Sequence, residues 1–181
     1  MRTLRYYINV TLDGCVDHRE GNPTEDVNRA ATASIARADE LLFGRVVYEM
    51  MRDAWRDPLP PGTPAWEIEF AETIGRARKS VFSRTLPSVD WNAELLRGDL
   101  LAAVAALKER AGGEILVSGV TLPTALAQLD LIDEYEFLVQ PHVAGHGPYL
   151  LEGLTNRPGL EPVHREEFPS GAVLTRFRRT R

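Results

Sequence analysis

Segments with the short apolar runs of β-strands alternate with segments of helical period along this chain, and that alternation restricts the fold more than any single motif does. Tyr6 to Leu12 is rich in β-branched and aromatic residues and reads as a first strand ending at Asp13-Gly14. From Thr24, Val27, Ala30, Ala31, Ser34, Ile35 and Ala38 recur at helical spacing, and a buried strand then runs through Leu41 to Phe43. Val47, Met50, Met51 and Ala54 mark a second helix, and a proline-rich loop separates it from a third helical face at Trp66, Phe70, Ile74 and Ala77. Strand three is expected at Ser80 to Ser83. Asp99 is placed to cap a helix carrying Leu100, Leu101, Val104 and Leu107, with Gly112-Gly113 as its stop before the strand Glu114 to Ser118. Thr121 and Pro123 suit the start of a short helix with Leu122, Ala125, Leu126 and Leu129 as its stripe. A strand follows over Glu134 to Val143, and Pro169-Ser170-Gly171 joins a last pair, Val163 to Phe168 and Ala172 to Phe177.

This order predicts one α/β domain over residues 1–181: a mixed, mostly parallel sheet, helices on both faces and a C-terminal antiparallel hairpin. A formal net charge of -5 leaves no broad basic footprint for nucleic acid, so an anionic ligand has to be held locally. Cys15 stands alone, which excludes an intrachain disulfide and points to a reducing, cytoplasmic setting. No apolar run approaches the roughly 20 residues of a membrane span, and no partner membrane is expected. The sequon Asn9-Val10-Thr11 lies in a predicted strand and is set aside.

In parallel sheets ligands gather at the carboxyl ends of the strands. Four of these ends carry suitable residues: Asp13-Gly14, Gly44-Arg45, Ser83-Arg84-Thr85, and Ser118-Gly119-Val120-Thr121. Glycines admit a ligand to backbone amides, hydroxyls donate to phosphate oxygens, and two arginines can clamp a phosphate. Each also has a plain reading: Asp-Gly is a turn signal, Ser-Arg-Thr suits a solvated turn, and Gly119 a hinge into a helix. Neither G-x-G-x-x-G nor G-x-x-x-x-G-K-[ST] occurs. His142 and His146 have metal-ligand spacing only on a helix, which Pro141 and the glycine loop oppose, so no metal is expected. Trp55, Trp66 and Trp91 read as packing residues and Cys15 as an inert thiol.

The segments NVTLDG, LLFGRVVYE, KSVFSRTL, GGEILVSG and LIDEYEFLVQPHVAGHGPYL, in that order and spacing, resemble the dihydrofolate reductase-like family. Within it they are similar to the C-terminal reductase (RibD C-terminal) domain of bacterial riboflavin biosynthesis, in its small stand-alone form. The resemblance covers nearly the whole chain. It implies an NADPH-dependent reductase acting on a small carbonyl or imine, pterin-like or pyrimidine-like, or else a non-catalytic protein that keeps the fold and binds a nucleotide or another ligand. It places Gly44 and Arg45 at the cofactor phosphates, Ser83 and Arg84 at the adenosine 2'-phosphate end, and Gly119, Val120 and Thr121 at the pyrophosphate, with Thr85 among the further cofactor contacts. Asp13 and Gly14 would border the nicotinamide and substrate, with Asp13 the candidate catalytic residue. Glu25 and Asp26 lie near the start of the first helix, where dihydrofolate reductases carry a proton-handling carboxylate. The family also implies a homodimer. Two departures stand out: Val47 replaces a usual threonine, and Gly119-Val120 replaces a glycine pair.

Overall fold

The computed structural model describes residues 1–180. Its strands are β1 (Leu4–Thr11), β2 (Ala38–Gly44), β3 (Arg78–Phe82), β4 (Ala93–Leu96), β5 (Glu114–Val117), β6 (Glu134–Gln140), β7 (Gly159–Glu167) and β8 (Val173–Thr180). The helices are α1 (Glu25–Ala36), α2 (Arg45–Trp55), α3 (Ala65–Arg76), α4 (Leu100–Glu109) and α5 (Thr121–Gln128). They form an eight-stranded sheet in the order β4-β3-β2-β5-β1-β6-β8-β7 with helices on both faces. The ladders from β4 to β6 are parallel, while β8 runs antiparallel to β6 and β7 to β8. The fold is therefore the α/β architecture expected from the alternation.

The chain first moves outward from β1 through β2 and β3 to β4, then returns to insert β5 between β2 and β1 and continues to β6. Right-handed crossovers require helices from opposite directions of travel to lie on opposite faces. Accordingly α1, α2 and α3 pack on one face around Val27, Ile35, Tyr48, Phe70 and Ile74. The other face is built around α4 and α5, with Val104, Leu107 and Leu126. The reversal makes the carboxyl ends of β2, β5 and β1 the place where a crevice is expected.

Strand ends such as those of β1 and β3 shift by a residue or two from the sequence expectation, and three larger differences each have a physical reason. β4 was not expected. Its four residues, Ala-Glu-Leu-Leu, are too few to display a period, and edge pairing with β3 decides their conformation. β6 stops at Gln140 rather than Val143, because Pro141 has no N–H to continue a ladder. The two hairpin strands reach further than their apolar patterns suggest, since β7 is exposed along its whole length and leaves no burial signal.

Buried ion pairs tie the amino ends of the strands together. Arg5 of β1 donates to Glu136 of β6 at 2.7 Å and to Ser34 of α1 at 2.5 Å, with both charged side chains fully buried. Arg2 meets Glu40 of β2 at 2.5 Å. No helix of the described residues is long and apolar enough to cross a membrane.

Candidate active site

The four strand ends selected from the sequence lie side by side. Along the carboxyl edge, Ser83-Arg84-Thr85 follows β3, Gly44 ends β2, Ser118 to Thr121 follows β5, and Asp13-Gly14 follows β1; these four strands are consecutive neighbours. The two middle segments touch. A Cβ on Gly44 would lie 3.6 Å from the Cβ of Leu122 in the first turn of α5, and Val47 in the first turn of α2 packs on Gly119. Two helix amino termini thus converge, and neither α2 nor α5 carries a side-chain cap on its first-turn amides. Uncapped amides at two neighbouring helix amino termini favour an anion there.

Gly44 and Gly119, alike in the sequence, are glycines for different reasons. Gly119 has φ +104°, and a Cβ there would meet Val47 Cγ2 at 2.6 Å, so the protein's own packing demands glycine. Its carbonyl accepts a bond from the Tyr6 hydroxyl at 2.9 Å. Val47, which replaces the usual threonine, fills the space beside Gly119 with a methyl group. Gly44 has φ -80° and ψ 168°, extended backbone that any residue adopts, and its nearest neighbour would sit at ordinary van der Waals distance. Nothing within the chain asks for glycine at that position.

The cations differ in the same way. Arg45 opens α2 and is paired with Glu49, one turn on, at 2.9 Å. Arg84 is exposed and has no ion-pair partner among the described residues. Ser83 is buried, and its Oγ accepts from the amides of Thr85 (3.2 Å) and Leu86 (3.1 Å). Its hydroxyl oxygen shapes the turn that presents Arg84.

At the β1 end, Gly14 adopts φ +86° and its N–H closes a turn onto Thr11 O at 3.0 Å. The Asp13 carboxylate accepts from Thr11 Oγ1 (2.5 Å), Gly145 N–H (2.8 Å) and Ala144 N–H (3.1 Å). The Thr11 hydroxyl, then the two amides, hold its pKa down at about 2. Asp13 is therefore an ionised clamp joining the β1 loop to the loop after β6. The carboxylates at the start of α1 are engaged as well. Glu25 pairs with Arg29 at 2.9 Å. Asp26 takes bonds from Thr24 Oγ1 (2.5 Å) and from Ser170 N–H (2.8 Å) in the hairpin turn, and chiefly the Thr24 bond lowers its pKa to about 2.

Two features had no sequence signal. Glu20 lies between His142 Nε2 (3.3 Å) and His146 Nε2 (3.2 Å), a second tie between the same two loops. Asn9 of β1 and Gln140 of β6 hold side-chain polar atoms out of solvent without partners.

The RibD C-terminal domain family matches residues 2–174. The chain belongs to that family. Among individual relatives of this RibD C-terminal domain protein, YyaP of Bacillus subtilis (strain 168), itself uncharacterised, is 31% identical over 169 residues, spanning 91% of this chain and 88% of YyaP. Among solved structures, a putative riboflavin biosynthesis protein from Shewanella sp. PV-4 superposes with a TM-score of 0.74 at 22% identity, covering 99% of both chains. Dihydrofolate reductase from Enterococcus faecalis, complexed with NADP(H), superposes at 0.67 with 12% identity, covering 99% of this chain and 97% of that one. Those likenesses bear on the fold, which is of the dihydrofolate reductase type.

Proposed function

We propose that this RibD C-terminal domain protein is an NADPH-dependent reductase acting on a small carbonyl or imine of pterin-like or pyrimidine-like shape. The observation that carries the reading is Gly44: a glycine that neither backbone conformation nor packing requires, at the seam of two uncapped helix amino termini. Close approach of a phosphate to those amides is what the missing side chain permits. That a dihydrofolate reductase of the same fold is complexed with NADP(H) supports it.

On this reading the opening turns of α2 and α5 hold the phosphates, with Gly44, Gly119, Val120 and Thr121 lining them. Arg84, presented by the Ser83-Thr85 turn, faces the 2'-phosphate, and Arg45 joins it by leaving Glu49. Bound NADPH supplies the hydride. Asp13, held ionised, acts as a positioning residue that keeps Gly14 and the Ala144-Gly145 loop in place beside the nicotinamide end. The Gly44→Val variant is expected to lose NADPH affinity by at least ~10-fold, about 1.4 kcal/mol, while remaining folded. Unchanged affinity in a folded variant would return Gly44 to a plain turn.

One observation favours a second reading, a nucleotide-binding protein without catalysis. Asp13, Glu25 and Asp26 are all engaged as acceptors or in ion pairs, so none is poised to donate a proton. NADPH oxidation against a panel of carbonyls and imines separates the two readings.

A further inference from the structure

The loop after β1 is fastened in its first half and nearly free in its second. Through Val16 it is laced to the loop after β6 by backbone: Val16 N–H donates to Pro148 O and Leu150 N–H to Gly14 O, both at 2.8 Å. Residues 17–23, which include the single helical turn His18–Glu20, have no buried member. Among the described residues, their hydrogen bonds and ion pairs stay within the segment or reach adjoining residues, with two exceptions. Both belong to Glu20, whose carboxylate meets His142 Nε2 at 3.3 Å and His146 Nε2 at 3.2 Å. One side chain therefore carries every polar tie between this segment and the loop after β6.

The two imidazoles are not equivalent. His142 has no hydrogen-bond partner on Nδ1 among the described residues, so a neutral ring with its proton on Nε2 satisfies Glu20. His146 faces an acceptor with each nitrogen: Nδ1 lies 2.8 Å from Gly147 O, and Nε2 faces Glu20 Oε1. A carbonyl and a carboxylate only accept, and a neutral imidazole has one N–H, so both contacts are bonds only when the ring carries two protons. We propose that His146 is a pH switch on this loop: as an imidazolium it fastens residues 17–23 across the loop after β6, and as a neutral imidazole it releases them, opening the carboxyl edge beside Asp13-Gly14. On losing a proton the ring keeps Nδ1–H for its neighbour Gly147, and the Nε2 lone pair then confronts Glu20. A single neutral bond from His142 remains.

The surroundings favour the charged ring. The Gly147 carbonyl first, then Glu20 and Asp17, raise its pKa above the ordinary 6.5. The sign follows: the tie is complete below that ordinary value and is lost as pH rises through the folded one. The other groups near the ring are the Cys15 thiol, 4.0 Å from Nδ1, and Asp17 with its partners Arg19 and His18. Asp13 faces the same loop through the amides of Ala144 and Gly145. The switch is a property of these loops and does not rest on the reductase reading.

Backbone amide NMR relaxation of residues 17–23, at about pH 5.5 and about pH 8.5, reads the switch in the wild type. Order parameters should fall from about 0.85 at the lower pH to about 0.6 or less at the higher, with a midpoint that coincides with titration of the His146 ring. His146→Ala, a change at a half-exposed side chain, should leave the segment mobile at both pH values. Glu20→Gln should make its order independent of pH, because an amide accepts from the charged ring and donates to the neutral one. His142→Ala should keep the pH response. Equal order at the two pH values in the wild type would overturn the proposal. So would a response that survives in His146→Ala, or a His146 ring that carries only one proton at about pH 5.5.

Discussion

At the amino ends of the strands, Arg2 reaches Glu40, Glu40 takes the Ser80 hydroxyl at 2.6 Å, Ser80 meets Glu94 at 2.9 Å, and Glu94 meets Arg110. Lys79 nearby gives its ammonium to the carbonyls of Gly75 in α3 (3.3 Å) and of Ala77 just after it (2.8 Å) and stacks on Trp91. A cavity of about 360 Å³ opens at this end, but its walls include Glu40, Lys79 and Glu94, whose polar atoms already have partners. At the carboxyl ends, among the described residues, the pattern differs: α2 and α5 have no side-chain cap, Arg84 has no ion-pair partner, and Asn9 Oδ1 and the Gln140 amide have no hydrogen-bond partner. The amino ends use polar groups to hold strand order. The carboxyl ends spend theirs on loop ties such as Asp13 and Glu20 and leave a few without partners, and the fold tolerates this because its stability is anchored elsewhere.

The sharpest way to break this contrast is Glu136→Ala. It leaves Arg5 buried beside Arg37 without its main partner, and a loss of about 3–5 kcal/mol is expected in urea unfolding. Arg84→Ala, at the other end, should change stability by no more than ~0.5 kcal/mol. Equal losses would end the distinction.

Ligand affinity should show the reverse order. Arg84→Ala is expected to weaken NADPH roughly tenfold to a hundredfold and leave NADH unchanged, as read by paired calorimetric titration. Arg45→Ala should have a smaller effect, because its guanidinium must give up Glu49. Equal loss of both nucleotides from either variant would assign that arginine to the pyrophosphate instead.

Capping sharpens the comparison within one edge. α4 opens with Asp99 accepting from Ala102 N–H at 2.9 Å, unlike α2 and α5. Asp99→Ala should cost about 1 kcal/mol of stability without altering NADPH affinity. A drop in affinity would extend the anion site to α4.

The smallest effect concerns pH. The folded pKa of Asp13 lies near 2, below that of an unfolded chain, so its contribution is present above about pH 4 and fades as pH falls toward 2. The protection factors of the Ala144 and Gly145 amides, measured against the intrinsic exchange rate at each pH, should be high at neutral pH and fall over that acidic interval. Asp13→Asn should remove the pH dependence, and its persistence would show that the clamp is not the Asp13 carboxylate.

Helical stripes such as Val27, Ala30 and Ile35, and caps such as Asp99, were legible because they depend on neighbours within a turn or two. The four strand ends were legible too, since alternation alone places them on one edge. β4 was not, because four residues without a period take their conformation from β3. Nor were the loop ties: Asp13 to Ala144 and Gly145, and Glu20 to the two histidines, join residues that meet only when β1 lies beside β6.

Sequence by itself determined the α/β class, the hairpin terminus, the family and the row of candidate phosphate contacts, all of them local patterns repeated in a recognisable order. Tertiary structure alone separated Gly44 from Gly119, because a glycine's need is set by what a Cβ would strike, and Val47 strikes one while nothing strikes the other. It also engaged the Ser83 hydroxyl and the Asp13 carboxylate, left Arg84 exposed, and closed the Gln140 amide off from solvent. Burial and hydrogen-bond pairing are properties of the packed neighbourhood, and no residue carries them in its own identity.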